Sequence, residues 1–133
     1  MFLQYYVTES ATGNRVNIEI DAATQADLDA TRNGWQTVWN TDFILDPQKE
    51  KYAAKTEDGE IIALGAYRVR KGSVAVYIAY IESQPESNPT LTEHKKYSGI
   101  GKAMIAFGIQ LSIDASCNGV VVFEAKTDDL EQH

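Results

Sequence analysis

Five stretches of the chain have the pattern of apolar and polar residues that is typical of β-strands. Short polar turns join the last three stretches, so they predict an antiparallel meander. The final stretch is apolar on both sides: Val76, Ile78 and Tyr80 point one way, Ala79 and Ile81 the other. Such a strand belongs in the middle of a sheet covered on both faces. The five predicted strands cover residues 2–7, 15–21, about 51–56, about 60–70 and about 73–82.

Two stretches have apolar residues at helical spacing. The first follows Thr24, which with Asp27 resembles a capping box, and ends before Pro47. The second runs from Gly99 to about Cys117 and leads into a short apolar strand at 120–123. A strand, a helix and a strand connected in this way form a βαβ unit, so the strands near 78 and 122 should be parallel. The pattern predicts a mixed α/β fold with helices on both faces of the sheet.

Length and composition predict one domain, residues 1–133, that is large enough to bury a core. No apolar run approaches the roughly 18 residues of a membrane span, and the first residues lack an export signal, so we expect a cytoplasmic protein. Cys117 is the only cysteine, and His94 and His133 are the only histidines. Neither an internal disulfide nor a Cys/His zinc site is therefore expected.

The net charge of −7 argues against a nucleic-acid partner, because binding a phosphate backbone requires a basic surface. Positive charge is nevertheless concentrated around Gly99 and Gly101. Since the rest of the chain is acidic, a small polyanion suits this place better than a long one. The positively charged or titratable residues near the two glycines are His94, Lys95, Lys96 and Lys102.

The stretch KKYSGIGKAM, residues 95–104, opens the second predicted helix with two glycines. Helix N-termini bind phosphate through unpaired N–H groups, and glycines let an anion approach the backbone. The same glycines are equally consistent with a tight turn and close helix packing. The stretch is not a P-loop, because Lys96 replaces the first glycine and Ala103 the Ser or Thr after Lys102. It is not a dinucleotide fingerprint either, since Met104 stands where Gly or Ala is needed.

From Lys96 to Gly101 the stretch resembles the Gln/Arg-x-x-Gly-x-Gly/Ala signature of the GNAT family of N-acetyltransferases. Lys96 departs from this signature: it keeps a positive charge but lacks the guanidinium fork of Arg. The resemblance extends over essentially the whole chain and is strongest from about Tyr77 to Thr127. It implies an acetyltransferase that uses acetyl-CoA, with the backbone amides from Tyr97 to Ala103 facing the diphosphate of this cosubstrate.

The resemblance also implies a slot for the pantetheine arm and the thioester. The strand end from Tyr80 to Glu82 lies on one side of the slot, and residues Glu124 to Thr127 lie on the other, where two strands separate. Lys96 and Lys102 are the implied charge partners of the diphosphate. The cofactor-binding residues implied in this way are Tyr80, Ile81, Glu82, Lys96, Tyr97, Ser98, Gly99, Ile100, Gly101, Lys102, Ala103, Lys126 and Thr127.

Acetyl transfer in this family is a direct attack of an amine on the thioester, so it needs no covalent enzyme intermediate. We expect no metal. Glu82 is the candidate general base, and Asn88 and Glu124 are candidate contacts of the amine substrate, with His94 as a lesser one. Relatives commonly supply a tyrosine as the acid from a helix after the last strand, but residues 127–133 contain none. Relatives also continue into two further strands, so the chain is short by comparison.

The open edge after the last predicted strand favours pairing with another chain, so we expect a homo-oligomer. Two other functions remain open. A noncatalytic coenzyme A binding or regulatory module would share the phosphate site and lack acceptor chemistry, and the missing tyrosine favours it. In a plain interaction domain the glycines would only shape a turn.

Overall fold

The computed structural model of the protein describes residues 4–32, 34–37, 39 and 49–124. The strands are β1 (Tyr5–Glu9), β2 (Arg15–Ala22), β3 (Lys49–Thr56), β4 (Ile61–Arg68), β5 (Val76–Ser83), β6 (Tyr97–Ser98) and β7 (Val121–Phe123). The helices are α1 (Gln25–Asp29) and α2 (Ile100–Asp114), with 3-10 turns at Ala30–Arg32 and Pro85–Ser87. These seven strands form one sheet in the order β6-β1-β2-β3-β4-β5-β7.

The sheet is antiparallel from β1 to β5 and parallel between β5 and β7. Ile78 pairs with Phe123, so the predicted parallel pair near residues 78 and 122 is confirmed. The sequence pattern did not predict β6, whose Ser98 pairs with Thr8 on the outer edge of β1. The predicted class, a mixed sheet with an antiparallel meander and a final parallel strand, is confirmed.

The first helix is shorter than predicted. Its capping box is present: the hydroxyl of Thr24 accepts a hydrogen bond from the Asp27 N–H, and Asp27 Oδ2 accepts one from the Thr24 N–H. α1 nevertheless ends at Asp29, and residues 34–37 are not helical. Gly34 has φ +91°, a left-handed conformation that does not continue an α-helix, so the predicted extension through Gly34 is wrong. Trp39 lies in a turn, and the predicted course from residue 40 to Pro47 lies outside the described residues.

Apolar side chains cover both faces of the sheet. On one face α2 packs against the strands, and Tyr67 donates a hydrogen bond from its buried hydroxyl to the carbonyl of Met104 at 2.8 Å. On the other face Leu28, Trp39 and Leu64 form a second buried cluster. β5 lies between the two layers, as its doubly apolar pattern predicts.

A β-bulge in β5 changes the direction of its second half. The pairing between β4 and β5 skips Ala79, which is the extra residue of the bulge. Beyond it, Tyr80 packs in the cluster that contains Trp39, and Ile81 packs against the cluster under α2. The prediction that Tyr80 shares a face with Ile78 is therefore wrong, because alternation does not continue through a bulge.

The second helix crosses the sheet in close contact with it. A Cβ on Gly108 would lie 3.2 Å from Cε2 of Tyr67, so a larger residue there would require helix and strand to shift apart by a few tenths of an ångström. α2 ends three residues before the predicted end at Cys117, and Ser116 follows with φ +63°. In the part of the chain that the structure describes, no helix is long and apolar enough to cross a membrane.

Candidate functional site

The glycine stretch lies where the chain leaves the sheet and enters α2. Gly99 is the N-cap of α2, and its φ of +86° turns the chain from β6 into the helix. Its carbonyl accepts the first helical hydrogen bond, from the Ala103 N–H at 3.0 Å. The N–H groups of Ile100, Gly101 and Lys102 precede this bond and have no intrahelical acceptor. They carry the positive end of the helix dipole and suit an anion.

The fold explains one of the two glycines and not the other. A Cβ on either Gly99 or Gly101 would meet no described atom within 4 Å. The left-handed backbone of Gly99 accounts for its glycine. Gly101 lies in the first turn of α2 without a positive φ, where Ala would favour the helix by about 0.5–1 kcal/mol. Neither a tight turn nor close helix packing therefore accounts for Gly101.

A cleft of about 610 Å³ opens beside the glycine stretch, between β1 and the first two turns of α2. Lys102 projects from an exposed position at this cleft, and no lining residue is acidic, although the chain has 19 acidic residues. Lys102 is therefore the one charged side chain among the described residues that line the cleft. Its lining residues are Gln4, Tyr5, Tyr6, Val7, Thr8, Ser98, Gly99, Lys102, Ala103 and Ala106.

Glu82, the candidate general base, lies buried near the end of β5 with 4% of its surface exposed. Its Oε1 accepts hydrogen bonds from Trp39 Nε1 at 2.9 Å and from the Thr37 N–H at 3.2 Å. Its Oε2 accepts one from the Gln36 N–H at 2.7 Å. The carboxylate thus holds the segment after α1 against β5, a role that the sequence did not indicate. Oε2, with one donor among the described residues, is the oxygen with more remaining acceptor capacity.

Two other predicted site residues contact the same segment. Asn88 is buried and donates a hydrogen bond from Nδ2 to Gln36 Oε1 at 3.0 Å. The Tyr80 hydroxyl accepts a hydrogen bond from Thr37 Oγ1 at 2.8 Å. The structure therefore brings three predicted site residues, Tyr80, Glu82 and Asn88, into contact with Gln36, Thr37 and Trp39. His94 does not join them: it is exposed, and its backbone N–H bonds to Thr92 Oγ1.

The parallel pair of β5 and β7 is short. β7 pairs with residues Val76 to Ile78, and the Glu124 N–H makes the last ladder bond, to the Ile78 carbonyl at 2.9 Å. Among the described residues, no strand pairs with that edge of β5 from Ala79 to Ser83. Glu124 stands where the two strands cease to pair and forms an ion pair with Arg68 at 3.3 Å. Lys126 and Thr127 lie outside the described residues.

The glycine stretch and the end of β5 are joined by hydrogen bonds. The Tyr97 N–H donates to Ser87 Oγ at 3.1 Å, and the Lys96 N–H donates to the Glu86 carbonyl at 2.8 Å. Lys96 Nζ lies 2.8 Å from Glu60 Oε2, in the turn between β3 and β4. The sequence pattern did not indicate Glu60 or Ser87, because no spacing rule connects residues that meet only in the folded chain.

Among the described residues, no group of three or more His, Cys, Asp or Glu side chains is placed to hold a metal ion. Comparison with known proteins finds no matching family model and no curated protein with significant sequence similarity.

Proposed function

We propose that this chain binds acetyl-CoA and transfers its acetyl group to an amine, as the resemblance to the GNAT family implies. Gly101 carries the proposal. It is a glycine in the first turn of a long helix, where the backbone conformation and the surrounding space would both accept Ala. A bare backbone there has a purpose if a ligand contacts the helix N-terminus closely.

The charges around the glycines support a phosphate-containing ligand. Lys102 forms no ion pair with any described residue, and its exposed ammonium group stands at a cleft without acidic side chains. The amides of the first helical turn face the same anion. A diphosphate satisfies several of these donors at once, whereas the acidic remainder of the surface repels a long polyanion.

The uncovered edge of β5 supports the place proposed for the pantetheine arm. From Ala79 to Ser83 this strand pairs with β4 on one side, and no described strand pairs with it on the other, which is the edge where an extended ligand would add as a further strand. Tyr80, Ile81 and Glu82 belong to this segment. The Ser87 and Glu86 hydrogen bonds keep the segment close to the glycine stretch, as a cosubstrate bridging both would require.

The proposed reaction is a direct displacement. The neutral nitrogen of the amine attacks the thioester carbonyl, the C–N bond forms, and the C–S bond breaks with release of the thiolate. One proton leaves the amine nitrogen and one is taken up by the thiolate. Glu82 remains the candidate acceptor of the amine proton, through its Oε2 or an intervening water. Asn88 and Glu124 remain candidate contacts of the amine.

A noncatalytic coenzyme A binding module is the second candidate. The observation that favours it is the engagement of Glu82, whose carboxylate already accepts three hydrogen bonds that hold the fold together. In this alternative coenzyme A binds to the same glycine stretch and the same edge of β5, and no amine is acetylated.

Calorimetry with acetyl-CoA on wild type and Gly101→Ala tests the proposal. We expect wild type to bind, and the variant to bind about tenfold or more weakly while being more stable to urea by about 0.5–1 kcal/mol. Gln110→Gly, on the same helix, is the matched control and should lose stability without losing affinity. Equal affinity of wild type and Gly101→Ala would contradict the proposal. Thiol release in the presence of amines then separates the transferase from the noncatalytic module.

A further inference from the structure

The turn between β3 and β4 provides a carboxylate on which three distant side chains converge. Glu60 Oε2 accepts hydrogen bonds from Lys96 Nζ at 2.8 Å and from Gln84 Nε2 at 2.9 Å. Glu60 Oε1 accepts a third from the Tyr97 hydroxyl at 3.1 Å. We call these four residues the Glu60 junction: Glu60, Gln84, Lys96 and Tyr97. The junction links Gln84, the residue after β5, to Lys96 and Tyr97, which precede the two glycines of the glycine stretch.

Backbone bonds hold the same two residues of the glycine stretch in place. The Lys96 carbonyl accepts from the Ser10 N–H at 2.9 Å, and the Lys96 N–H donates to the Glu86 carbonyl. Ser87 Oγ accepts from the Tyr97 N–H and donates to Gln84 Oε1 at 2.9 Å. Hydrogen bonds through both their side chains and their backbone therefore hold Lys96 and Tyr97 in place, just before the turn at Gly99.

The junction is ionised at neutral pH. Burial alone would raise the pKa of Glu60, but hydrogen bonds from Lys96, Gln84 and Tyr97 outweigh it and hold this pKa below the ordinary value. The hydrogen bond to Glu60 in turn raises the pKa of Lys96. The positive charge of Lys96 is thus matched by Glu60, whereas Lys102 has no acidic partner among the described residues.

We propose that Glu60 is a positioning residue for the glycine stretch. Because Glu60 pairs with Lys96 and not with Lys102, the two lysines have different roles. Through Lys96 and Tyr97, Glu60 fixes the backbone that leads into Gly99, so that the amides of the first turn of α2 are prearranged for the diphosphate. Lys96 holds the loop, and Lys102 is the charge partner of the ligand. This inference rests on the proposed function, because it assigns roles toward coenzyme A.

A double-mutant cycle tests the assignment, with coenzyme A affinity measured by calorimetry. Glu60→Gln and Lys96→Gln should each lower the affinity by about tenfold, and the double variant should bind no more weakly than either, because each change breaks the same junction. Lys102→Gln should lower the affinity by a factor that multiplies with that of Glu60→Gln. Glu57→Gln, an exposed carboxylate in the same turn, is the matched control and should bind as wild type does.

The pH dependence of binding gives a readout that general destabilisation would not reproduce. As pH falls through the lowered pKa of Glu60, wild type should lose the same affinity that Glu60→Gln lacks at neutral pH, so the two proteins converge in acid. If the losses of affinity caused by Glu60→Gln and Lys96→Gln multiply in the double variant, the inference is overturned. A much larger loss in Lys96→Gln than in Glu60→Gln would also overturn it, because Lys96 would then contact the ligand directly.

Hydrogen exchange of the ligand-free protein separates this inference from the proposed function. The amides from Tyr97 to Gly101 should exchange faster in Glu60→Gln than in Glu57→Gln, whether or not coenzyme A binds. Equal exchange in the two variants would overturn the positioning role. Absence of coenzyme A binding to wild type would instead overturn the proposed function and the roles assigned toward the ligand, whatever the exchange rates are.

Discussion

The indole Nε1 of Trp39 donates a hydrogen bond to Oε1 of Glu82 at 2.9 Å, and both residues are buried. Through this bond and two backbone donors, Glu82 links the segment after α1 to β5. We expect Glu82→Gln to destabilise the protein by about 2–3 kcal/mol in urea unfolding, because the amide loses the charge and turns a donor toward these N–H groups.

Glu19→Gln, on an exposed position of β2, is the matched control for this change and should alter stability by less than about 0.5 kcal/mol. The same preparations can be assayed for acetyl transfer at a temperature where both variants are folded. A Glu82→Gln variant with wild-type stability and no activity would mean that Glu82 acts on the substrate without supporting the fold.

The space around Gly65 predicts the opposite outcome to that expected at Gly101. A Cβ on Gly65 would lie 2.7 Å from Cε1 of Tyr67 and 2.9 Å from Cε of Met104. Gly65→Ala should therefore destabilise the protein by about 1–3 kcal/mol, whereas Gly101→Ala should stabilise it. Urea midpoints of the two variants check this pair. A loss at both positions would show that Gly101 has a structural role that the open space around it does not reveal.

The capping carboxylate of Asp27 makes stability depend on pH. Burial would raise the pKa of Asp27, but the Thr24 N–H and Lys55 hold it below the ordinary value, with Lys55 Nζ at 2.9 Å from Oδ1. Since the pKa of Asp27 is lowered in the folded state, the stability that its carboxylate contributes is complete above the ordinary carboxyl pKa. It is lost as pH falls through the folded pKa. Asp27→Asn should cost about 1–2 kcal/mol at pH 7 and almost nothing in strong acid.

Unfolding free energies from about pH 7 down to pH 2 check the Asp27 prediction, since acid titrates the carboxylates that the native state stabilises. Asp21→Asn, on an exposed strand position, serves as the control and should run parallel to wild type. A constant difference between wild type and Asp27→Asn over the whole range would assign the effect to packing and not to charge.

The parts of the fold that sequence patterns predicted are those set by neighbours along the chain. The capping box at Thr24, the meander and the parallel pair at Ile78 all follow from local residue types and short connections. The end of α1 and the bulge at Ala79 do not. In both places the backbone departs from a period that the surrounding sequence continues: a 3-10 turn at Ala30–Arg32 follows α1, and the pairing of β5 with β4 skips Ala79.

The candidate site divides in the same way. The sequence indicates Gly99 and Gly101 because two glycines at the start of a helix suggest either a turn or a ligand. The structure gives Gly101 no conformational or packing reason to be a glycine, so the ligand explanation remains for it. Glu60 carries no comparable signal, since it looks like any acidic residue in a polar turn and meets Lys96 only in the folded chain. Glu82 was identified by its place at a strand end, but its hydrogen bonds to the segment after α1 required the structure.

The edge of the sheet at β7 leads to the last prediction, that the protein associates with a second copy of itself. β7 has one strand partner among the described residues, and Val122 and Phe123 are 42% and 62% exposed. Antiparallel pairing of two β7 strands would close both edges and bury these side chains in a two-fold interface.

Light scattering at micromolar concentration should therefore give the mass of a dimer for wild type. Phe123→Lys should shift it to the monomer without changing stability by more than about 0.5 kcal/mol, because a charge at an exposed edge opposes pairing between copies but not folding. Val74→Lys, at a residue 79% exposed outside β7, is the control and should remain a dimer. A monomeric wild type would rule out this edge as a self-association surface, since the apolar residues of β7 would then stay exposed in solution.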